Sequence, residues 1–141
     1  MSESLAGKIA FITGGSRGIG RATALKLARA GCDVAIIYHN SHIEAEQVCS
    51  DIRALGRRAL AIQADVTDPV SMAAAVAQIE TEIGPIYGVV LNAGITKDNL
   101  FSNISVEDWY TVIDTNLNGV FNTLRPIVPK LYERGIGSLV F

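Results

Sequence analysis

Cysteine is nearly absent: the 141 residues contain two, Cys32 and Cys49, with no Cys-x-x-Cys spacing and no histidine cluster beside them. Neither a disulfide framework nor a zinc site is expected, and both read as ordinary reduced thiols. The two histidines, His39 and His42, have no third ligand at a suitable spacing, so no metal is expected there either. Charge of one sign is equally scarce. Twelve Lys and Arg stand against 14 Asp and Glu, a formal net charge of -2, which gives no electrostatic reason to expect nucleic acid or an anionic membrane as partner. Apolar runs such as Val89-Val90-Leu91 are strand-sized and far short of a membrane span. Met1-Ser2-Glu3-Ser4 lacks the basic and apolar regions of a signal peptide, so the cytoplasm is the expected location. No repeat, linker or low-complexity segment divides the chain, and one domain over 1–141 is expected. With 49% apolar residues it is long enough to bury an extensive sheet.

What is present in quantity is glycine, 13 residues, and three of them organise the chain. The stretch Thr13-Gly14-Gly15-Ser16-Arg17-Gly18-Ile19-Gly20 follows the apolar run Ile9 to Ile12 and precedes an amphipathic stretch, Arg21 to Ala30. That order is strand, glycine turn and helix start. Such a turn gathers unpaired backbone N–H groups and the positive end of a helix dipole at one point, where a phosphate can sit. Gly14 suits the tight turn, Gly18 a close ligand approach, and Gly20 close packing of helix on strand. Alone, the pattern also describes a tight connection that binds nothing.

Further along, strands are predicted at Val34 to Tyr38, Arg58 to Ala64 and Tyr87 to Leu91, with helices between them. Gly31 and Gly56 stop the first two helices, and Ser41 with Glu44 forms a capping box for the second. Asp68 caps the third helix with Pro69 at its first position. Ile95 to Ile104 reads as irregular. Ser105 with Asp108 opens a long helical stretch, Val106 to Arg134, which Pro126 and Pro129 should kink or interrupt. Ser138 to Phe141 looks like the opening of a fifth strand. The alternation predicts an α/β fold, a doubly wound parallel sheet with helices on both faces, truncated in that fifth strand.

Thr13-Gly14-x-x-x-Gly18-x-Gly20, Asp65-Val66, Asn92-Ala93-Gly94 and Asn116-Leu117-x-Gly119 occur in the order and spacing of the short-chain dehydrogenases/reductases. The chain resembles this Rossmann-type family over almost its whole length. The stretches Asn92 to Leu100 and Asp114 to Asn122 are most similar to 3-oxoacyl-[acyl-carrier-protein] reductases and acetoacetyl-CoA reductases. The resemblance implies a nicotinamide dinucleotide whose pyrophosphate and adenosine ribose lie against Gly14, Gly15, Ser16, Arg17, Gly18, Ile19 and Gly20. Asp65 would accept from the adenine amino group beside the Val66 backbone, and Asn92, Ala93 and Gly94 would pack against ribose and sheet. Asn92 could equally hold adjacent strands together, and both roles are compatible.

NAD-selective sites place a carboxylate about 20 residues past the glycine motif, whereas a 2′-phosphate wants a cation. Here the second strand ends in Tyr38-His39-Asn40-Ser41, without an acid, and Asp33 lies at its wrong end. Arg17 could clamp a phosphate, with His39, Asn40 and Ser41 adding hydrogen bonds, so NADP(H) is expected.

By the same resemblance the reaction is hydride transfer to a ketone, with a Ser, Tyr and Lys that belong beyond residue 141. Asn116 matches an Asn that supports the Lys through water, or its side chain bonds a neighbouring carbonyl at a helix irregularity. The 141 residues contain no Tyr-x-x-x-Lys. Two readings remain: the cofactor-binding N-terminal part of an NADPH-dependent ketoreductase, inactive alone and homo-oligomeric when complete, or a non-catalytic fragment that binds a dinucleotide or a partner.

Overall fold

A computed structural model describes residues 4–141; the polar lead Met1 to Glu3 lies outside the described residues. Five strands, β1 (Ile9–Thr13), β2 (Asp33–Tyr38), β3 (Ala59–Gln63), β4 (Ile86–Val90) and β5 (Ser138–Val140), form one parallel sheet in the order β3-β2-β1-β4-β5. Helices α1 (Gly18–Arg29), α2 (His42–Ala54) and α3 (Pro69–Glu82) connect the first four strands. Between β4 and β5 run α4 (Val106–Ile113), a π-helical segment (Asp114–Asn118), α5 (Gly119–Leu124) and α6 (Val128–Arg134). The doubly wound parallel sheet is the one the alternation predicts.

Because successive strand residues face opposite sides, β1 to β4 each feed two cores, while β5 is exposed along its length. Phe11, Ala35, Ile37 and Val89 join Met72 and Ile79 of α3 and Ile127 on one face. Ala10, Ile12, Val34 and Ile36 join Ala24 and Ala28 of α1 and Val48 and Ile52 of α2 on the other. Burying each Ile, Val or Phe side chain contributes about 1.5–3 kcal/mol, so the central strands β1 and β2, buried at every position, anchor the sheet. Both cysteines are structural members of the second core. Burial pushes the Cys49 thiol up to about 11, leaving it a small inert hydrophobe.

Local signals explain most boundaries. Gly31 and Gly56, both at positive φ, end α1 and α2; Gly31 N–H bonds Ala28 O and Cys32 N–H bonds Leu27 O, the paired bonds of a left-handed C-terminal cap. Asp68 accepts from Val70 N–H with Pro69 at the first helical position, and Ser105 accepts from Asp108 N–H. Helix α1 starts at Gly18, inside the glycine stretch itself, where a helix start is expected. Two expectations are corrected. Ser41 precedes α2 but makes no side-chain cap; only its carbonyl is used, accepting from Ala45 N–H. Pro126 does interrupt the long helical stretch, after α5, but Pro129 kinks nothing: it lies in the first turn of α6, where a missing N–H costs no bond.

Asp33, at the start of β2, is buried with Arg57 Nη2 and Arg58 Nη2 each 2.8 Å away and Arg58 N–H donating at 2.9 Å. Burial opposes its ionisation, but the Arg58 hydrogen bonds and the two guanidinium charges outweigh it and hold the carboxyl below its ordinary value. A depressed carboxylate contributes stability above its unfolded pKa and loses it as pH falls through the folded value. Asp33→Asn is therefore expected to cost about 2 kcal/mol at neutral pH by leaving the two cations unpaired. In urea unfolding across a pH series, that cost shrinks below the ordinary carboxylate range, where the wild-type residue is also neutral.

Candidate functional site

At the carboxyl ends of the strands, where the order reverses between β1 and β4, an open cleft of about 390 Å³ is formed. Four loops build it: Gly14, Ser16 and Arg17 after β1; Tyr38 to Ser41 after β2; Asp65 and Val66 after β3; Asn92 to Ile95 after β4. Thr115, in the π-helical segment, closes the remaining side.

In the glycine turn, the N–H groups of Ser16, Arg17 and Gly18 have no acceptor among the described residues. Gly14 takes φ +66°, reversing the chain after β1, and Gly18 takes φ +57° with open space where a Cβ would stand. Arg17 is the N-cap residue of α1 and its side chain makes no capping bond; no acid lies in the first turn. The positive end of α1 thus meets the turn without an internal anion. Gly20 serves packing: a Cβ there would overlap the Gly14 carbonyl oxygen and come within 2.6 Å of Asn92 Nδ2. Gly15, grouped with the pyrophosphate residues from sequence, does not line the cleft. It is buried with its Cα against Ile36, whose Cγ2 would be 2.5 Å from a Cβ, and its N–H donates to Ile37 O. Gly18, Ile19 and Gly20 also lie outside the cleft wall itself, at its α1 margin, with Ile19 exposed.

Two amides hold the other wall. Asn92 Nδ2 donates to both Thr13 O and Gly14 O, at 3.1 and 3.0 Å, while Thr13 Oγ1 accepts from Asn92 N–H and Ala93 N–H. The end of β4 is thereby tied to the glycine turn. Asn116 uses both arms on one residue: Oδ1 accepts from Ile95 N–H at 2.8 Å and Nδ2 donates to Ile95 O at 2.9 Å. This bidentate pairing coincides with the π-helical segment, a form that often marks functional positions because it turns side chains off the regular helical rows. A Cβ at Gly94 would stand 3.3 Å from Asn116 Oδ1, so the small residue keeps that pairing close.

The exit of β2 carries no carboxylate of its own. His39 and Asn40 are exposed, and His39 Nε2 lies 3.9 Å from Asp65 Oδ2 across the cleft floor. Burial would raise the Asp65 pKa, but hydrogen bonds from Thr67 Oγ1 and Thr67 N–H to Oδ1, with His39 nearby, outweigh it and hold the carboxyl below its ordinary value. Asp65 is thus an ionised acceptor with Oδ2 turned away from the Thr67 bonds. No carboxylate among the described residues reaches Arg17 within ion-pair distance.

The structure also brings in residues that sequence reasoning missed. Tyr38 lines the cleft with its hydroxyl 2.7 Å from His42 Nδ1, Thr13 is the shared acceptor under Asn92, and Thr115 forms the far wall. Tyr38 and Thr13 end their strands, a position that could have flagged them; Thr115 depends on the π-helical turn and had no local signal. Among the described residues no group of three potential metal ligands occurs, and no helix is long and apolar enough to cross a membrane.

Comparison with known proteins agrees with the fold. The short chain dehydrogenase family profile matches residues 8–141. The chain is 41% identical over 133 residues to a 3-oxoacyl-[acyl-carrier-protein] reductase FabG of Staphylococcus aureus (strain N315), covering 94% of this chain and 54% of the relative. It is 41% identical to an acetoacetyl-CoA reductase of Synechocystis sp., covering 99% of this chain and 54% of that one. A crystal structure of a short-chain type dehydrogenase/reductase from Mycobacterium marinum superposes with a TM-score of 0.90 at 35% identity, over 96% of this chain and 55% of that protein. The chain spans about half the length of the curated relatives it matches.

Proposed function

The chain belongs to the short-chain dehydrogenase family, and we propose that it supplies the dinucleotide-binding part of an NADPH-dependent reductase acting on the keto group of a 3-oxoacyl thioester, carried by acyl carrier protein or coenzyme A. The substrate class rests on the names of its relatives. The cofactor rests on the residues. A nicotinamide cofactor, when bound, supplies a hydride. The cleft fits such a group: the uncapped start of α1 and the open Cα of Gly18 suit a pyrophosphate, and the Asp65 acceptor suits an adenine amino group.

In this reading Gly14, Ser16, Gly18, Ile19 and Gly20 bind the dinucleotide backbone, with Gly15 holding the turn against β2. Asp65 and Val66 orient the base. Asn92, Ala93 and Gly94 form the wall beneath the ribose, and Asn116 fixes that wall through Ile95. The acid-base residues the resemblance calls for, a Ser, a Tyr and a Lys, are not among the 141, so these residues bind and orient without moving a proton to the ketone. The exposed apolar side chains Trp109, Leu117 and Phe121 on the α4–α5 surface are consistent with a homo-oligomer of the complete enzyme.

NADP(H) is favoured over NAD(H) by one observation: the cation Arg17 lines the cleft without an ion-pair partner, while the exit of β2 offers His39 and Asn40 and no acid. The test is a calorimetric titration of the chain with 2′,5′-ADP and 5′-AMP, which differ only in the 2′-phosphate. Binding of 2′,5′-ADP is expected to be at least about tenfold tighter. Equal affinity, or a preference for 5′-AMP, contradicts the NADP(H) reading.

A further inference from the structure

Val66 stands at the floor of the cleft, yet its place is fixed from outside the loop that carries it. Asn122 Nδ2, on α5, donates to Val66 O at 3.0 Å across 56 residues of sequence. One turn earlier on the same helix, Gly119 is buried with its Cα against the Val66 side chain: a Cβ there would lie 2.8 Å from Val66 Cγ2 and 3.1 Å from Val66 Cβ. Between these elements, among Val66, Gly119 and Thr123, there is no space for a water molecule. The rest of the turn is held locally. Asp65 N–H donates to Ser71 Oγ, Thr67 N–H to Asp65 Oδ1 and Asp68 N–H to Asp65 O. Among the described residues Val66 O has Asn122 as its donor, and Val66 N–H has no acceptor.

We propose that Asn122 and Gly119 are positioning residues for the adenine side of the cleft, acting through Val66. The proposal rests on the dinucleotide reading above and extends it to residues that never face the ligand. Two recognition groups sit side by side on this turn, the ionised Asp65 carboxylate as acceptor and the unpaired Val66 N–H as donor. Adenine presents the complementary edge, an amino donor beside a ring-nitrogen acceptor. Hypoxanthine reverses both, with a carbonyl acceptor beside a ring N–H donor. A turn held in register therefore discriminates the two bases, and a turn free to shift does not. The amide of Asn122 sets the direction of the Val66 peptide, and the bare Cα of Gly119 sets how deeply Val66 seats against α5.

The experiment is an NMR-detected titration of the chain with 5′-AMP and 5′-IMP, for wild type, Asn122→Ala, Asn122→Asp and Gly119→Ala, with urea unfolding of each protein alongside. Asn122→Asp keeps the side-chain shape while removing the donor, so it reports even if the alanine variant folds poorly. Wild type is expected to bind 5′-AMP about tenfold more tightly than 5′-IMP. The variants should lose about three- to tenfold in 5′-AMP affinity, with 5′-IMP affinity changed less than about twofold. Variants that lose stability but keep the wild-type ratio of the two affinities would reduce Asn122 and Gly119 to structural residues and overturn the proposal. A wild-type chain that binds neither nucleotide overturns the dinucleotide reading itself, and the proposal with it.

Discussion

Gly20→Ala is expected to destabilise the protein by about 3 kcal/mol and to reduce affinity for 2′,5′-ADP at least about tenfold. The added Cβ would overlap the Gly14 carbonyl oxygen, and that oxygen cannot move alone, because it accepts from Asn92 Nδ2 at 3.0 Å. Relief requires α1 to lift from the turn or the turn to leave the end of β4. Either movement spreads the N–H groups that the turn collects, so stability and binding fall together. A change at an exposed helix position of the same type would cost far less, within about 0.5 kcal/mol. Urea unfolding and the nucleotide titration check the two halves separately. A variant with wild-type stability would mean that α1 and the glycine turn are not in the close contact described.

Arg17→Glu should leave the fold intact and act on ligand choice. Arg17 is exposed at the N-cap of α1, so the substitution removes no buried contact. It replaces a cation by an anion on the cleft wall, where a 2′-phosphate would gain a charge-assisted bond from the guanidinium and meet repulsion from the carboxylate. Such bonds are worth about 1.5–3 kcal/mol, so 2′,5′-ADP affinity is expected to fall by about 10- to 100-fold. Affinity for 5′-AMP should change less than about threefold, since an exposed charge at a distance is screened by salt. An equal loss for both nucleotides would assign Arg17 to the pyrophosphate instead. No loss for either would leave it a solvated loop cation.

The parts of this site that sequence reveals are those whose physics is local. An apolar run, a reversal that needs Gly14, and a helix start at Gly18 lie within a few residues of each other, so one stretch displays the whole turn. Asp68 with Pro69, Gly31 and Gly56 act on backbone groups of their immediate neighbours and were legible for the same reason. The remainder depends on residues far apart in the chain. Gly15 looks like a ligand contact until Ile36 of β2 is placed against it. Ser41 has the residue type and spacing of a cap, yet the backbone at that position turns its hydroxyl to no helical N–H. A helix irregularity at Asn116 could be read from sequence, but its partner could not, because the π-helical segment at Asp114–Asn118 accompanies a pairing with Ile95, 21 residues away. Asn122 carried no signal, since its partner is the carbonyl of Val66.

The loops after β1, β2, β3 and β4 form one nucleotide site on this account, and residue-resolved NMR titration of the chain with 2′,5′-ADP tests it most directly. The amides of Gly14, Ser16, Arg17, Gly18, Asp65, Val66, Asn92 and Ala93 are expected to shift together with a single affinity, while those of α2, α6 and the far ends of the strands stay in place. Shifts confined to other surfaces, or no saturable shifts at all, would contradict it.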